Sequence, residues 1–371
     1  MKRVVYYLSF VMILALMTQS IYAEGIITNN TEVYVNMEKA ISFAIENNPG
    51  IKLIDKRIEI AEKRFQDAAE VSDDAKFDKS TIDSVNIEYR KEEKLNWQYT
   101  KLDLESLKND RVQAVKDIKS IIQQYYADAQ LLQEDVKIIA QEITSIDSKI
   151  AEAQLKIKLG QLKESDYKSL LSQKLTLQNT LNATNKQYDI KLINLKKEMG
   201  IDLSSKLILQ NEALPYAVID IEKLQENIKP YISKDYSVIK LYKQLELKQL
   251  ERKLVMDYTD YKHSDLVPDL DIDIEEIKAN IEVQKFNLEA DLWIEYYDIR
   301  TLAENITLEE LKLDLEKINY DTITTKSKLG MVDAVTELNA KIAYNSQKNS
   351  LQRAKYNYIL AANQFNGKLE I

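Results

Sequence analysis

Residues 115–160 read VKDIKSIIQQYYADAQLLQEDVKIIAQEITSIDSKIAEAQLKIKLG. Apolar or small side chains stand at Val115, Ile118, Ile122, Tyr125, Ala129, Leu132, Val136, Ile139, Ile143, Ile146, Ile150, Ala153 and Ile157, and the steps between them alternate between three and four. A 3.5-residue repeat kept up for about six heptads holds one seam against a neighbour and dictates left-handed coiled-coil packing. The heptads do not name that neighbour. A second segment of the same chain and a second copy of the chain satisfy them equally.

The glycines narrow the choice. The seam ends in Lys158-Leu159-Gly160, and the same triplet returns as Lys328-Leu329-Gly330, about 170 residues later. Glycine just past a last helical turn takes the left-handed conformation without strain on a side chain. A second helical pattern follows each one, with Leu181, Tyr188 and Leu195 matched by Leu351, Tyr358 and Phe365, and these helices are expected to end near Gly200 and Gly367. Before the glycines, Gln124-Tyr125-Tyr126 recurs as Glu295-Tyr296-Tyr297, and Leu308, Leu311, Leu315, Ile318, Thr322, Thr325 and Leu329 repeat the heptad spacing. Four of the 6 glycines thus fall at corresponding helix ends of two repeats.

A further helix opens each copy. Met37 to Ala69 carries Ile51, Ile54, Ile58, Ala61 and Phe65, and Ile58-Glu59-Ile60 is matched by Leu245-Glu246-Leu247. The long helix Glu88 to Leu159 is about 72 residues, roughly 108 Å at 1.5 Å per residue. The two shorter helices of that copy add up to about the same length, and the second copy, with its long helix from Asp273 to Leu329, balances in the same way. The expectation is an all-α chain of two tandem long coiled-coil hairpins with little or no β structure. Its divisions are residues 1–23 as a signal peptide, 24–200 as the first repeat, 201–233 as a linker and 234–371 as the second repeat.

Composition fits that reading. With 6 Gly and 4 Pro in 371 residues, the chain lacks the punctuation that many strands and turns demand. Lys2 and Arg3, an apolar run from Val4 to Met17 and the small residue Ala23 give the order of a cleavable secretory signal peptide, too short in its apolar core for a membrane span. With no Cys there is no disulfide, thiolate metal site or lipid-acylation site. A net charge of -9 with interspersed Lys and Asp/Glu offers no basic face for nucleic acid.

Catalysis finds no purchase either. No phosphate loop, Gly-x-Ser-x-Gly or His-Glu-x-x-His occurs, and the single histidine, His263, stands in an acidic connector with Asp257, Asp260 and Asp265 that matches no calcium loop and reads as a solvated turn. Neither cofactor nor metal is expected. Tyr125 and Tyr188 read as packing residues.

Ala40-Ile41-Ser42-Phe43-Ala44-Ile45-Glu46-Asn47-Asn48-Pro49, the tandem halves and the pattern after each glycine together resemble the TolC-like outer-membrane efflux proteins. The resemblance implies a trimer whose six hairpins close into a hollow helical barrel, an exported component of the cell envelope serving as a passive conduit with a periplasmic adaptor and an energised inner-membrane transporter. It also implies that Leu159, Gly160 and Gln161, with Leu329, Gly330 and Met331, form the adaptor-docking tips. Asp166 falls at an acid position of the family's first tip. In the second copy the family's entrance acids would fall at Thr336 and Asn339, whereas the acids here are Asp333 and Glu337.

The connectors depart further. A membrane strand takes about 9 to 11 alternating residues. Glu70 to Asn86 is too short for two of them, and both it and Met256 to Glu276 carry charges at both parities, leaving only Leu270, Ile272 and Ile274 in clean alternation. The expectation is a relative lacking the membrane β-barrel, suited to an envelope without an outer membrane. A structural coiled-coil protein of the envelope, with no lumen, is the alternative.

Overall fold

The computed structural model describes residues 32–80, 82–210, 219, 221–258 and 266–369. The expected signal segment and His263 lie outside them. The elements run β1 (Glu32–Val35), α1 (Met37–Asn47), α2 (Pro49–Ala75), α3 (Asp83–Lys91), a π-helical segment (Glu92–Asn96), α4 (Trp97–Lys158), α5 (Glu164–Glu198), β2 (Lys206–Leu209), α6 (Ile221–Lys234), α7 (Tyr236–Tyr258), α8 (Leu266–Lys328) and α9 (Ala334–Leu369). β1 and β2 pair in parallel, Glu32 opposite Lys206 and Val35 opposite Leu209.

The two long helices are the rails of the molecule. α2 and α5 both lie along α4, and α7 and α9 both lie along α8, so that two shorter helices flank each long one. The halves join through α4, which touches α7 and α9. Packing on the predicted seam is direct: Ile118, Ile122, Ala129, Ile146, Ile150 and Ala153 are buried, each large aliphatic contributing roughly 1.5–3 kcal/mol. The equivalent positions of the return helices agree, since Leu195, Leu351, Tyr358 and Phe365 are all buried.

The equator is knitted by polar groups as well as apolar ones. Asn48 ends α1 and caps α2, its Oδ1 accepting from the Gly50 amide at 2.8 Å, with Pro49 in the first helical turn where its missing N–H costs nothing. The fully buried Tyr126 places its hydroxyl between the backbone oxygens of Val35 (3.1 Å) and Gln210 (2.6 Å), tying α4 to the β-pair. Tyr125 and Tyr188 are partly buried against this same core, as packing residues.

Several boundaries differ from the sequence reading. Gly160, Gly200 and Gly330 have φ of 70°, 63° and 71°, but Gly367 lies inside α9, which runs on to Leu369. Glycine permits a helix to end without obliging it to, and Phe365 and Leu369 are buried on either side of Gly367. α8 begins at Leu266 rather than Asp273, so Leu270 and Ile274 are one turn apart on a helix, not alternate residues of a strand. The stretch 201–233 holds β2 and nearly all of α6. At the pole away from the tips, α2 turns into α3 through Lys76–Ser80, and the only strands among the described residues are β1 and β2.

Candidate docking tips and helical edges

Both tips are closed by the same backbone bonds. At the first, the Gly160 amide donates to Ile157 O (2.9 Å) and the Gln161 amide to Lys156 O (2.8 Å); at the second, Gly330 donates to Ser327 O and Met331 to Lys326 O, both at 2.9 Å. This paired arrangement satisfies carbonyls that would otherwise be orphaned at the helix end and needs a left-handed residue at the glycine. A Cβ built on Gly160 or Gly330 would meet nothing within 4 Å. Leu159 and Leu329 are both 69% exposed and Met331 70%, so each tip presents an apolar knob to solvent.

The tips are brought to one end of the molecule by Lys149 of α4. Its ammonium donates to Glu337 Oε2 (2.9 Å) and to the backbone oxygen of Ala334 (3.1 Å) at the start of α9. The Lys149 hydrogen bond is the main reason the Glu337 carboxyl is held below its ordinary range. Asp333 caps α9, accepting from the Thr336 amide at 2.7 Å. The second tip's two acids therefore serve the fold, whereas Asp166, half-buried, sits in the first turn of α5, where a negative charge favours the helix N-terminus.

Beyond the tips, the chain leaves two unlike edges. In the tip half the helices run side by side as α5, α4, α9 and α8. The heptad residues Leu308, Leu311, Leu315, Ile318 and Leu329 face away from α9 and are 48–69% exposed. Periodicity found this stripe but not its direction. The side of α8 that meets α9 instead carries Glu309, which accepts from Gln347 Nε2 at 2.6 Å, and Tyr320, stacked on Tyr344 with ring centroids 5.8 Å apart.

This four-helix layer with paired tips has counterparts among solved structures. The outer membrane protein VceC of Vibrio cholerae superposes with a TM-score of 0.66 at 10% identity over 90% of this chain and 95% of that one. This is the fold of the outer-membrane channels. The CmeC outer membrane channel of Campylobacter jejuni (TM-score 0.61, 12% identity, 90% and 85% covered) and CusC, studied for transmembrane channel formation (0.65, 10%, 94% and 95%), share it. At the level of sequence, no family model and no curated protein matches the chain.

Proposed function

We propose that the chain is the protomer of a passive export duct of the TolC-like kind in the cell envelope, a closed trimeric ring of hairpins that works with an adaptor and an energised transporter. The observation that carries this reading is the pair of unlike edges. A heptad stripe with no partner among the described residues demands burial, and the helix available for it in a second copy is α5, at the opposite edge. Contacts between different surfaces are heterologous and close into a ring when the rotation allows. A solid two-stranded rod would pair like with like.

Leu159, Gly160, Gln161 and Asp166, with Leu329, Gly330 and Met331, are the surface we assign to the adaptor. Their support is the exposed apolar knob at each turn and the common end of the molecule to which Lys149 brings them. The helical stretches 70–75 and 266–276 of the connectors, which replace strands there, support a duct without the membrane β-barrel that the family resemblance implies.

Cross-linking tests the ring. Leu175 and Leu315 lie about 15 residues from Gly160 and Gly330 respectively, on the two edges, and are 61% and 64% exposed. In a chain with no native Cys, Leu175→Cys with Leu315→Cys should oxidise to cross-linked trimers. A ladder that stops at dimers, or no cross-link at all, returns the protein to the lumen-free structural reading.

A further inference from the structure

Between α5 and α9, floored by α4, runs a groove of about 700 Å³ within a single protomer. Its floor carries Glu142, only 3% exposed, whose Oε1 accepts from Asn345 Nδ2 at 2.8 Å. Among the described residues no cation pairs with this carboxylate. Burial pushes its pKa up, opposed by the Asn345 bond and by Lys341. The nearest floor acid, Asp135, is already satisfied by Arg353 (2.7 Å) and Asn349.

One wall is a ladder of hydroxyls. Thr176, Thr180 and Thr184 each donate to the carbonyl four residues earlier, at 3.1, 3.0 and 2.9 Å. With its one proton turned back on the helix, each hydroxyl oxygen can only accept from the groove. These acceptors repeat about every 6 Å along α5. At the tip end of the groove, Gln173 donates to Asn339 while its own Oε1 is buried with no donor among the described residues. A buried carboxylate, an unsatisfied carbonyl oxygen and a row of acceptor-only hydroxyls call for one chemistry: N–H donors, positively charged, strung along a narrow flexible chain.

We propose that this groove binds a linear aliphatic polyamine, one ammonium on Glu142 and others along the threonine ladder toward Gln173. The assignment rests on the protomer alone and stands apart from the ring.

Titration calorimetry of the full chain with spermidine tests it, at about 0.15 M salt, where attraction between exposed charges is screened beyond roughly 8 Å. One saturable site per chain is expected. Glu142→Gln, which keeps an oxygen for Asn345, should weaken binding about tenfold or more, the loss of one charge-assisted hydrogen bond. Thr180→Val should weaken it several-fold with helicity unchanged. Glu134→Gln, an exposed acid outside the groove, should have no effect. Absence of saturable binding, or one affinity shared by all four proteins, would overturn the proposal, because spermidine would then be responding only to the net charge of -9.

Discussion

Asn48 closes a hydrogen bond across 150 residues of sequence, its Nδ2 donating to the backbone oxygen of Glu198 at 2.9 Å. Its Oδ1 meanwhile caps α2 through the Gly50 amide. One side chain, 7% exposed, thus holds the joint of the two N-terminal helices against the end of the return helix.

Asn48→Ala should therefore remove a cap and strand a carbonyl together, a loss of about 2–4 kcal/mol in urea unfolding. Asn48→Asp retains the cap but sets a second carboxylate against Glu198, whose Oε2 accepts from Nδ2 at 3.2 Å, and should lose at least as much as the alanine variant. Equal stability of all three proteins would contradict the assigned role.

The positive-φ glycines should divide into two kinds. At Gly160 and Gly330 there is open space, so Val at either position costs only the conformational strain of about 1–2 kcal/mol and leaves the distant seams folded. A Cβ at Gly200 would stand 2.3 Å from the backbone oxygen of Asn47, so Gly200→Ala must shift the equator and cost more than either tip variant. Thermal unfolding gives the order. Gly160→Val combined with Gly330→Val should also abolish adaptor capture while assembly persists, and intact capture would count against the tips as docking surfaces.

The outward stripe of α8 makes a separate demand. Leu311→Glu with Ile318→Glu places charges at positions that are both 65% exposed in the single chain, so the unfolding free energy of the protomer should change by less than about 0.5 kcal/mol. The proposed ring should nonetheless dissociate in sedimentation. A variant that still sediments as the parent does would remove α8 from the interface.

Glu142 gives a pH signature. Burial is the larger influence on its carboxyl and raises the pKa above the ordinary 4.5. A group whose folded value is raised contributes stability that is complete below the unfolded pKa and is lost as pH rises through the folded one. Glu142→Gln cannot ionise, so its melting temperature should gain on the parent's as pH rises above the ordinary carboxylate range. Two parallel curves would mean that the carboxyl is not perturbed.

Much of this architecture was legible in the residues, for reasons the structure makes plain. The Val115–Ile157 seam leaves a clean period because α5 lines it in both core clusters, with α1 added in one and α9 in the other. Tyr126 did not stand out, because α4 at the equator is packed on more than one side, with α1 and the β-pair as well as α5, and periodicity registers one stripe at a time. The tips were visible through Gly160 and Gly330, whose left-handed backbone favours glycine, whereas Gly367 carries the same letter with no such constraint. The groove was hidden for a different reason. Its threonines on α5 and asparagines on α9 read as solvated helix surface in the sequence, and contacts such as that of Glu142 with Asn345 span 203 residues.

The π-helical segment at Glu92–Asn96, steadied by the Ser72 hydroxyl donating to Glu93 O at 2.5 Å, acts as a phase adjuster in a very long shaft. An α-helix turns about 100° per residue, so one surplus residue taken up there rotates everything upstream relative to everything downstream by that amount. α3 can then aim Ile87 into the cluster of Val255, Val267 and Leu270 while α4 keeps its own seam on α5. Were one residue deleted from this segment, the helix would heal into a regular coil and the two ends of the protomer would fall out of angular agreement. The two poles are geared to each other at a single point, near one end of the rod.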